Sequence, residues 1–158
     1  MSGFPRRIFE KSPLTPSTLI APQGHQSAEA ATGGLAVALL DAASLAALQQ
    51  LDPTGANLLV PRVMTIYRSS LARLLGQLTL ARERDDVAAL RLVTHTLKSS
   101  SASVGALALS VLCAQAEWAV RDGRLQDLPP LLDQLESEAV RVDAAVLQLL
   151  CDPSTNAR

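Results

Sequence analysis

Aromatic side chains are nearly absent, at 3% of 158 residues, although hydrophobic residues together make up 48%. A core must therefore be built from Leu, Val and Ala, which pack closely and, as a group, suit helices. Cysteine is scarce too. Cys113 and Cys151 are the only two. They are too few for a disulfide framework and lack the histidines that complete a zinc site, so a reducing compartment is expected. The formal net charge is only −1, which gives no reason to expect nucleic acid as a partner. No apolar run approaches the ~20 residues that span a bilayer, so no membrane contact is expected of this segment. Arg6 and Arg7 are followed by no apolar stretch, which argues against a secretory leader. No segment alternates like a strand over any length, and no internal repeat is visible. Only two histidines occur, His25 and His95.

Residues 1–36 read as an N-terminal tail or linker. Pro5, Pro13, Pro16 and Pro22 interrupt any helix, and Gly33-Gly34 closes the segment. Its periodic apolar surface is too small to offset the entropy of ordering it. It suits a free tail or a tether from a larger protein. His25 lies here with no metal-ligand partner nearby. Residues 153–158 read as a C-terminal tail.

Residues 37–152 carry helical periodicity. A short first helix follows Asp41, a good N-cap, with Leu40 and Leu45 placed as a hydrophobic staple and Leu45, Leu48 and Leu51 as its apolar face. Asp52-Pro53-Thr54-Gly55 ends it. A second helix starts near Pro61, with Val63, Ile66, Tyr67, Leu71, Leu74, Leu75 and Leu78 at three- and four-residue spacing. Gly76 inside it either weakens the helix or permits a close neighbour. A third helix starts at Asp85 or Asp86 and ends at Gly105. Leu90, Val93, Leu97 and Val104 form its inward stripe, with Thr94 and Ser101 alongside. A fourth runs from about Ala106 to Asp122, with Leu109, Leu112, Ala116 and Ala119 on one face and Cys113, Glu117 and Val120 on the next stripe. A fifth starts after Asp127, confines Pro129 and Pro130 to its first turn, and repeats Leu132, Leu135, Ala139, Val142, Val146 and Leu149. Trp118 and Tyr67 fit the core or its edge. The expected class is all-α: an antiparallel up-down-up-down four-helix bundle with a short N-terminal capping helix.

The chemistry concentrates in His95-Thr96-Leu97-Lys98-Ser99-Ser100-Ser101-Ala102-Ser103-Val104-Gly105-Ala106. Arg91, His95, Lys98 and Ala102 share one helical stripe, apart from the leucine stripe. His95 is therefore expected to project from a rigid helix. A neutral imidazole, with an ordinary pKa of about 6.5, is a good nucleophile at neutral pH. Lys98, one turn on, can neutralise a phosphoryl group arriving at or leaving that ring. The serine run adds little bulk, so a partner's backbone and acidic site can approach. No second histidine is available for a hydrolytic triad, and no Gly-rich loop cradles a nucleotide. Such a site can carry a phosphoryl group without a means of taking one from ATP.

This stretch resembles the signature of histidine phosphotransfer (Hpt) domains, usually His-x-Leu-Lys-Gly-Ser, then a few small residues and Leu-Gly-Ala. The similarity extends over residues 39 to 151, including the opening LDAASLAALQQLD, the Leu-Cys-x-x-x-Glu of the fourth helix and the Asp-Gly turn after it. The resemblance implies that His95 is the phosphoacceptor through its ring nitrogen farther from the backbone. It would take the phosphoryl group from the phospho-aspartate of one receiver domain and relay it to the aspartate of another. Lys98 matches the lysine that favours the phosphorylated state. Glu117 matches a position where relatives carry Glu or Gln, which orients the imidazole. Arg91, Ser99, Ser100, Ala102 and Gly105 are the candidate docking residues. Ser99 departs from the usual glycine, which gives the receiver's acidic pocket room to close, so an altered rate or partner range is expected.

The implied role is a phosphocarrier rather than a true enzyme, with no cofactor or metal of its own, the Mg²⁺ being supplied by the receiver. Response-regulator receiver domains are the expected partners, with a hybrid sensor kinase, in cis or in trans, as a further candidate. This chain would be the C-terminal domain of such a kinase if it is a fragment. A monomer in the cytoplasm is expected, or one tethered there to an inner-membrane sensor kinase. The competing expectation is a helical bundle that binds a receiver or oligomerises without transferring phosphate.

Overall fold

The computed structural model describes residues 39–152. The expected tails at 1–36 and 153–158, the first two residues of the expected domain and His25 lie outside the described residues. Among the described residues there are five α-helices, one short 3-10 turn and no strand. They are α1 (Ala42–Gln50), α2 (Leu59–Glu83), α3 (Val87–Ser103), α4 (Leu107–Arg121) and α5 (Leu128–Cys151). Helices α2 to α5 each pack on their neighbours in sequence, and α5 closes back onto α2. This is the expected up-down-up-down bundle, with α1 lying against one end.

Leucine and alanine build the core, as the lack of aromatics requires. Leu71, Leu78, Leu97, Leu109, Leu132, Leu135, Val142 and Val146 are fully buried. On α2 the buried stripe is Val60, Met64, Tyr67, Leu71, Leu74 and Leu78, a regular alternation of four- and three-residue steps. Ile66, expected inward, is 66% exposed. It sits about 100° round the helix from Tyr67, so the two cannot share a stripe. On α1, Leu45 and Leu48 pack against the core, but Leu51, expected beside them, is 72% exposed. It falls at the C-cap, where the chain leaves the helix. On α4, Cys113 is buried together with Leu109, Ala116 and Ala119, whereas Leu112, expected on their face, is only partly buried. Gly76 is exposed, and a Cβ there would meet nothing within 4 Å. It allows no close approach and weakens α2 by about 1 kcal/mol relative to alanine.

Each turn has a visible stop signal. After α2, the amide of Asp86 donates to the carbonyl of Ala81 and that of Asp85 to Arg82, with Asp85 at φ 51°. This is a Schellman closure with aspartate in the left-handed position. Asp86 then caps α3, its carboxylate accepting from the amide of Ala89 at 2.9 Å. Between α1 and α2, the buried Asp52 does more than break a helix. Its carboxylate accepts from the amides of Asn57 and Leu59, so it also caps the first turn of α2.

Gly105 ends α3 by the same closure, with the amide of Ala106 donating to Ser101 and that of Gly105 to Ala102. Its φ is +83°, and a Cβ there would lie 3.0 Å from both the amide nitrogen of Asp41 and the Cβ of Ser44. Only glycine lets α1 come this close. The contact is fastened by the amide of Asp41 donating to the carbonyl of Gly105 at 2.8 Å. Asp41 in turn caps α1 by accepting from the amide and the hydroxyl of Ser44. Those bonds hold its carboxyl below the usual carboxylate range, the hydroxyl contact contributing most.

Candidate functional site

His95 sits in the middle of α3, and its side chain is 61% exposed. The backbone beneath it is held from three sides. Leu97 and Thr94 are buried on the inward face. The buried hydroxyls of Tyr67 and Ser101 meet at 3.0 Å and tie α3 to α2. Ser110 of α4 donates its hydroxyl to the carbonyl of Lys98 at 2.9 Å, tying α4 to α3 beside the histidine. Burial pushes the Tyr67 hydroxyl up to about 12, so this link stays neutral and intact across the physiological range.

Glu117 of α4 faces the histidine across the α3–α4 seam. One carboxylate oxygen lies 3.0 Å from Nδ1 of His95, and the other accepts from Nζ of Lys98 at 2.5 Å. The Glu117 side chain is 15% exposed and that of Lys98 31%, so the carboxylate lies beneath the surface and the ring above it. The lysine, and after it the histidine, hold the Glu117 carboxyl below the usual carboxylate range. An ionised carboxylate can only accept hydrogen bonds. Nδ1 must therefore carry the proton in this contact, which in the neutral ring leaves the lone pair of Nε2 free and pointing away from Glu117.

The other candidate residues divide between two places. Arg91, Ser99 and Ala102 are exposed and Ser100 is half-buried. Arg91 accepts from the Thr94 hydroxyl through its backbone carbonyl at 3.1 Å, while its side chain makes no hydrogen bond or ion pair among the described residues. The Ser99 hydroxyl donates to the carbonyl of Thr96 at 3.0 Å, one turn back along its own helix. Bound in this way, it projects less than a free serine would, and the surface next to His95 stays low. Gly105, expected among the docking residues, is buried beneath α1 instead. Its part is to shape the turn that sets α3 against α4.

Sequence reasoning missed three features. The first is Glu117's second contact, with Lys98. The second is the link from Ser110. The third is an apolar surface running from the site toward α2: Leu92 is exposed on α3, and it lines a shallow groove with Gln77, Leu80, Arg84 and Ala89. The hydrophobic period contained the signal for Leu92, since it falls outside the stripe of Leu90, Val93 and Leu97. The other two depend on the register of α4 against α3, which no local pattern carries. Among the described residues, no three His, Cys, Asp or Glu side chains gather to hold a metal ion, and no helix is long and apolar enough to cross a membrane.

The chain is similar in fold to the histidine-containing phosphotransfer protein B of Pseudomonas aeruginosa PAO1. The TM-score is 0.65 and the identity 29%, over 73% of this chain and 96% of that one. No curated protein sequence matches. The family model described as the Hpt domain matches residues 62–145, a span that begins in the first turn of α2, ends within α5 and includes His95, Lys98 and Glu117. With that match over a bundle that presents an exposed histidine beside a lysine, the chain belongs to the Hpt domain family and has a histidine phosphotransfer role in phosphorelay.

Proposed function

We infer that His95 accepts a phosphoryl group from the phospho-aspartate of one receiver domain and passes it to the aspartate of another. The observation that carries this reading is the contact between Glu117 and Nδ1, because it leaves Nε2 as the free, outward nucleophile. Lys98 is the counter-charge for the phosphoryl group, since it lies one turn along the same face. Arg91, Ser99, Ser100 and Ala102, with Leu92 and Leu80 beyond them, offer the receiver a low surface with an apolar edge. The receiver supplies Mg²⁺ and the acidic site; this chain supplies the nucleophile. A hybrid sensor kinase bearing a receiver fits as the upstream donor, with exchange in the cytoplasm and this chain acting as a monomer.

The test is transfer from a panel of ³²P-labelled receivers. Wild type is expected to gain label that is acid-labile and base-stable. His95→Gln is expected to lose all of it while unfolding at the same temperature, because the ring is exposed. Receiver binding without label on wild type would overturn the relay and favour a docking bundle.

A further inference from the structure

Helix α4 is apolar on two faces. Leu109, Cys113, Ala116 and Ala119 are buried in the core. On the opposite side, Leu107, Val111 and Trp118 are each about half exposed. Their spacing of four and seven residues puts them on one stripe, directly away from the core. Half-buried Ala114 fills the gap between them. A surface helix normally turns polar side chains outward, yet no charged residue interrupts this stripe. At its far end Trp118 lines an open groove of about 420 Å³ with Pro130 and Leu131 of α5. A benzene ring needs only about 150 Å³.

The size of the stripe limits what can cover it. Its half-exposed side chains offer apolar area on the order of 300 Å². A second copy of the chain would need about 800 Å² per partner for a stable interface. A short apolar segment suits the area better, and the chain carries one. Phe4, Ile8 and Phe9 fall close together near the N-terminus, and Phe4 and Phe9 are the only phenylalanines in the sequence. The stripe also begins where that part of the chain enters the fold. Leu39 and Leu40, the first described residues, line a cleft with Gly105, Leu107 and Ala108. From Leu107 to Trp118, α4 rises about 17 Å. Roughly 30 residues separate Phe9 from Leu39, and even a random coil of that length spans about 30 Å, so reach is not limiting. Tethering offsets the cost of ordering so short a stretch, because it holds the segment at about millimolar effective concentration.

We propose that the outer stripe of α4 is a docking site for this chain's own N-terminal segment, with Phe4, Ile8 and Phe9 laid over Leu107, Val111 and the Trp118 groove. The ligand is an apolar peptide held in cis. The site is distinct from the phosphotransfer centre but adjoins it, since Trp118 follows Glu117 on α4. The docked segment therefore borders the α3–α4 seam beside His95.

Trp118 is the only tryptophan in the sequence, so its fluorescence reads the site directly. The experiment uses the full chain. Wild type is expected to show blue-shifted emission, weak quenching by acrylamide and nuclear Overhauser contacts from phenylalanine ring protons to the Val111 methyls, all independent of protein concentration. Phe4→Ser/Phe9→Ser should lose those contacts, shift the emission to longer wavelength and raise the quenching constant about twofold, as a covered ring returns to half exposure. Its unfolding temperature should stay near that of wild type, because the bundle is untouched. Val111→Asp, which puts a carboxylate in the middle of the exposed stripe, should raise the quenching in the same way. Leu19→Ser/Ile20→Ser, a comparable apolar loss elsewhere before Leu39, should leave every readout at its wild-type value. Quenching unchanged by Phe4→Ser/Phe9→Ser overturns the proposal, and so does an equal rise from Leu19→Ser/Ile20→Ser. Protection of Trp118 that appears only as protein concentration rises overturns it too, in favour of a second copy. None of these readouts uses phosphoryl transfer, so their outcome is separate from that of the relay reading.

Discussion

The α2–α5 face and the α3–α4 face use the same kind of helix and the same two charges, but they are closed differently. Across α2 and α5, Arg68 grips Asp143 through two nitrogens at 2.8 and 3.2 Å, and Arg82 bridges Asp133 and Glu136. Across α3 and α4, one carboxylate serves a lysine and a histidine. An arginine fork is planar, permanently charged and fixed by its geometry; a lysine is a mobile point charge, and a histidine changes charge near neutral pH. One face is therefore built to stay as it is. The other is built from groups whose partners and protonation can change.

The α3–α4 face can be broken hardest at its turn. Gly105→Ala places a side chain at φ +83°, against the backbone of Asp41 and the Cβ of Ser44. The left-handed conformation alone costs an alanine about 1–2 kcal/mol, and the crowding adds to it. Gly123→Ala is the matched control: its φ is +71°, yet nothing lies within 4 Å of an added Cβ. Thermal unfolding should show Gly105→Ala as the more destabilised, with amide exchange speeding up in α1 only for that variant. Equal losses in the two variants would mean that the α1 contact contributes nothing.

A smaller effect sharpens the electrostatic half of the comparison. A carboxyl with a folded pKa below its unfolded value, about 4.3 for glutamate, adds stability above that unfolded value. It loses this contribution as pH falls through the folded value. The Glu117 contacts should therefore survive acidification to below the usual carboxylate range. Followed by the ¹³C shift of its carboxyl, the Glu117 midpoint should rise more in Lys98→Ala than in His95→Ala, because the lysine contact is the larger cause. The reverse order would make the ring, not the lysine, the principal partner.

What the sequence made legible follows from what a helix repeats. The inward stripe of α3 is buried as its period required, and that placed His95 outside the core. The period failed where two apolar residues stand side by side: Ile66 and Tyr67 both fit a three-or-four spacing, but only one can face inward. Gly105 was legible as a helix stop, but its buried place under α1 was not, because nothing near residue 105 in sequence indicates residue 41. The pairing of Glu117 with His95 was reached by resemblance. Its pairing with Lys98 needed the register between two helices 19 residues apart at that point. The Tyr67–Ser101 bond, spanning 34 residues, needed the same kind of knowledge.

The smallest effect tests whether the two faces are independent. Arg68→Ala removes the bidentate grip on Asp143, but both side chains are more than a third exposed. Water already screens such a pair, so the unfolding temperature should fall only slightly. The rate at which His95 is phosphorylated by phosphoramidate should not change. The neighbouring residue makes this a demanding test. Tyr67 precedes Arg68 on α2, and its hydroxyl reaches through the core to Ser101 on α3, two turns below His95. If loosening α2 from α5 shifts Tyr67, the backbone under the histidine shifts with it and phosphorylation slows. An unchanged rate means that the packing around Tyr67, not the rim ion pair, sets its position. The α2–α5 face then stabilises the bundle without tuning the site.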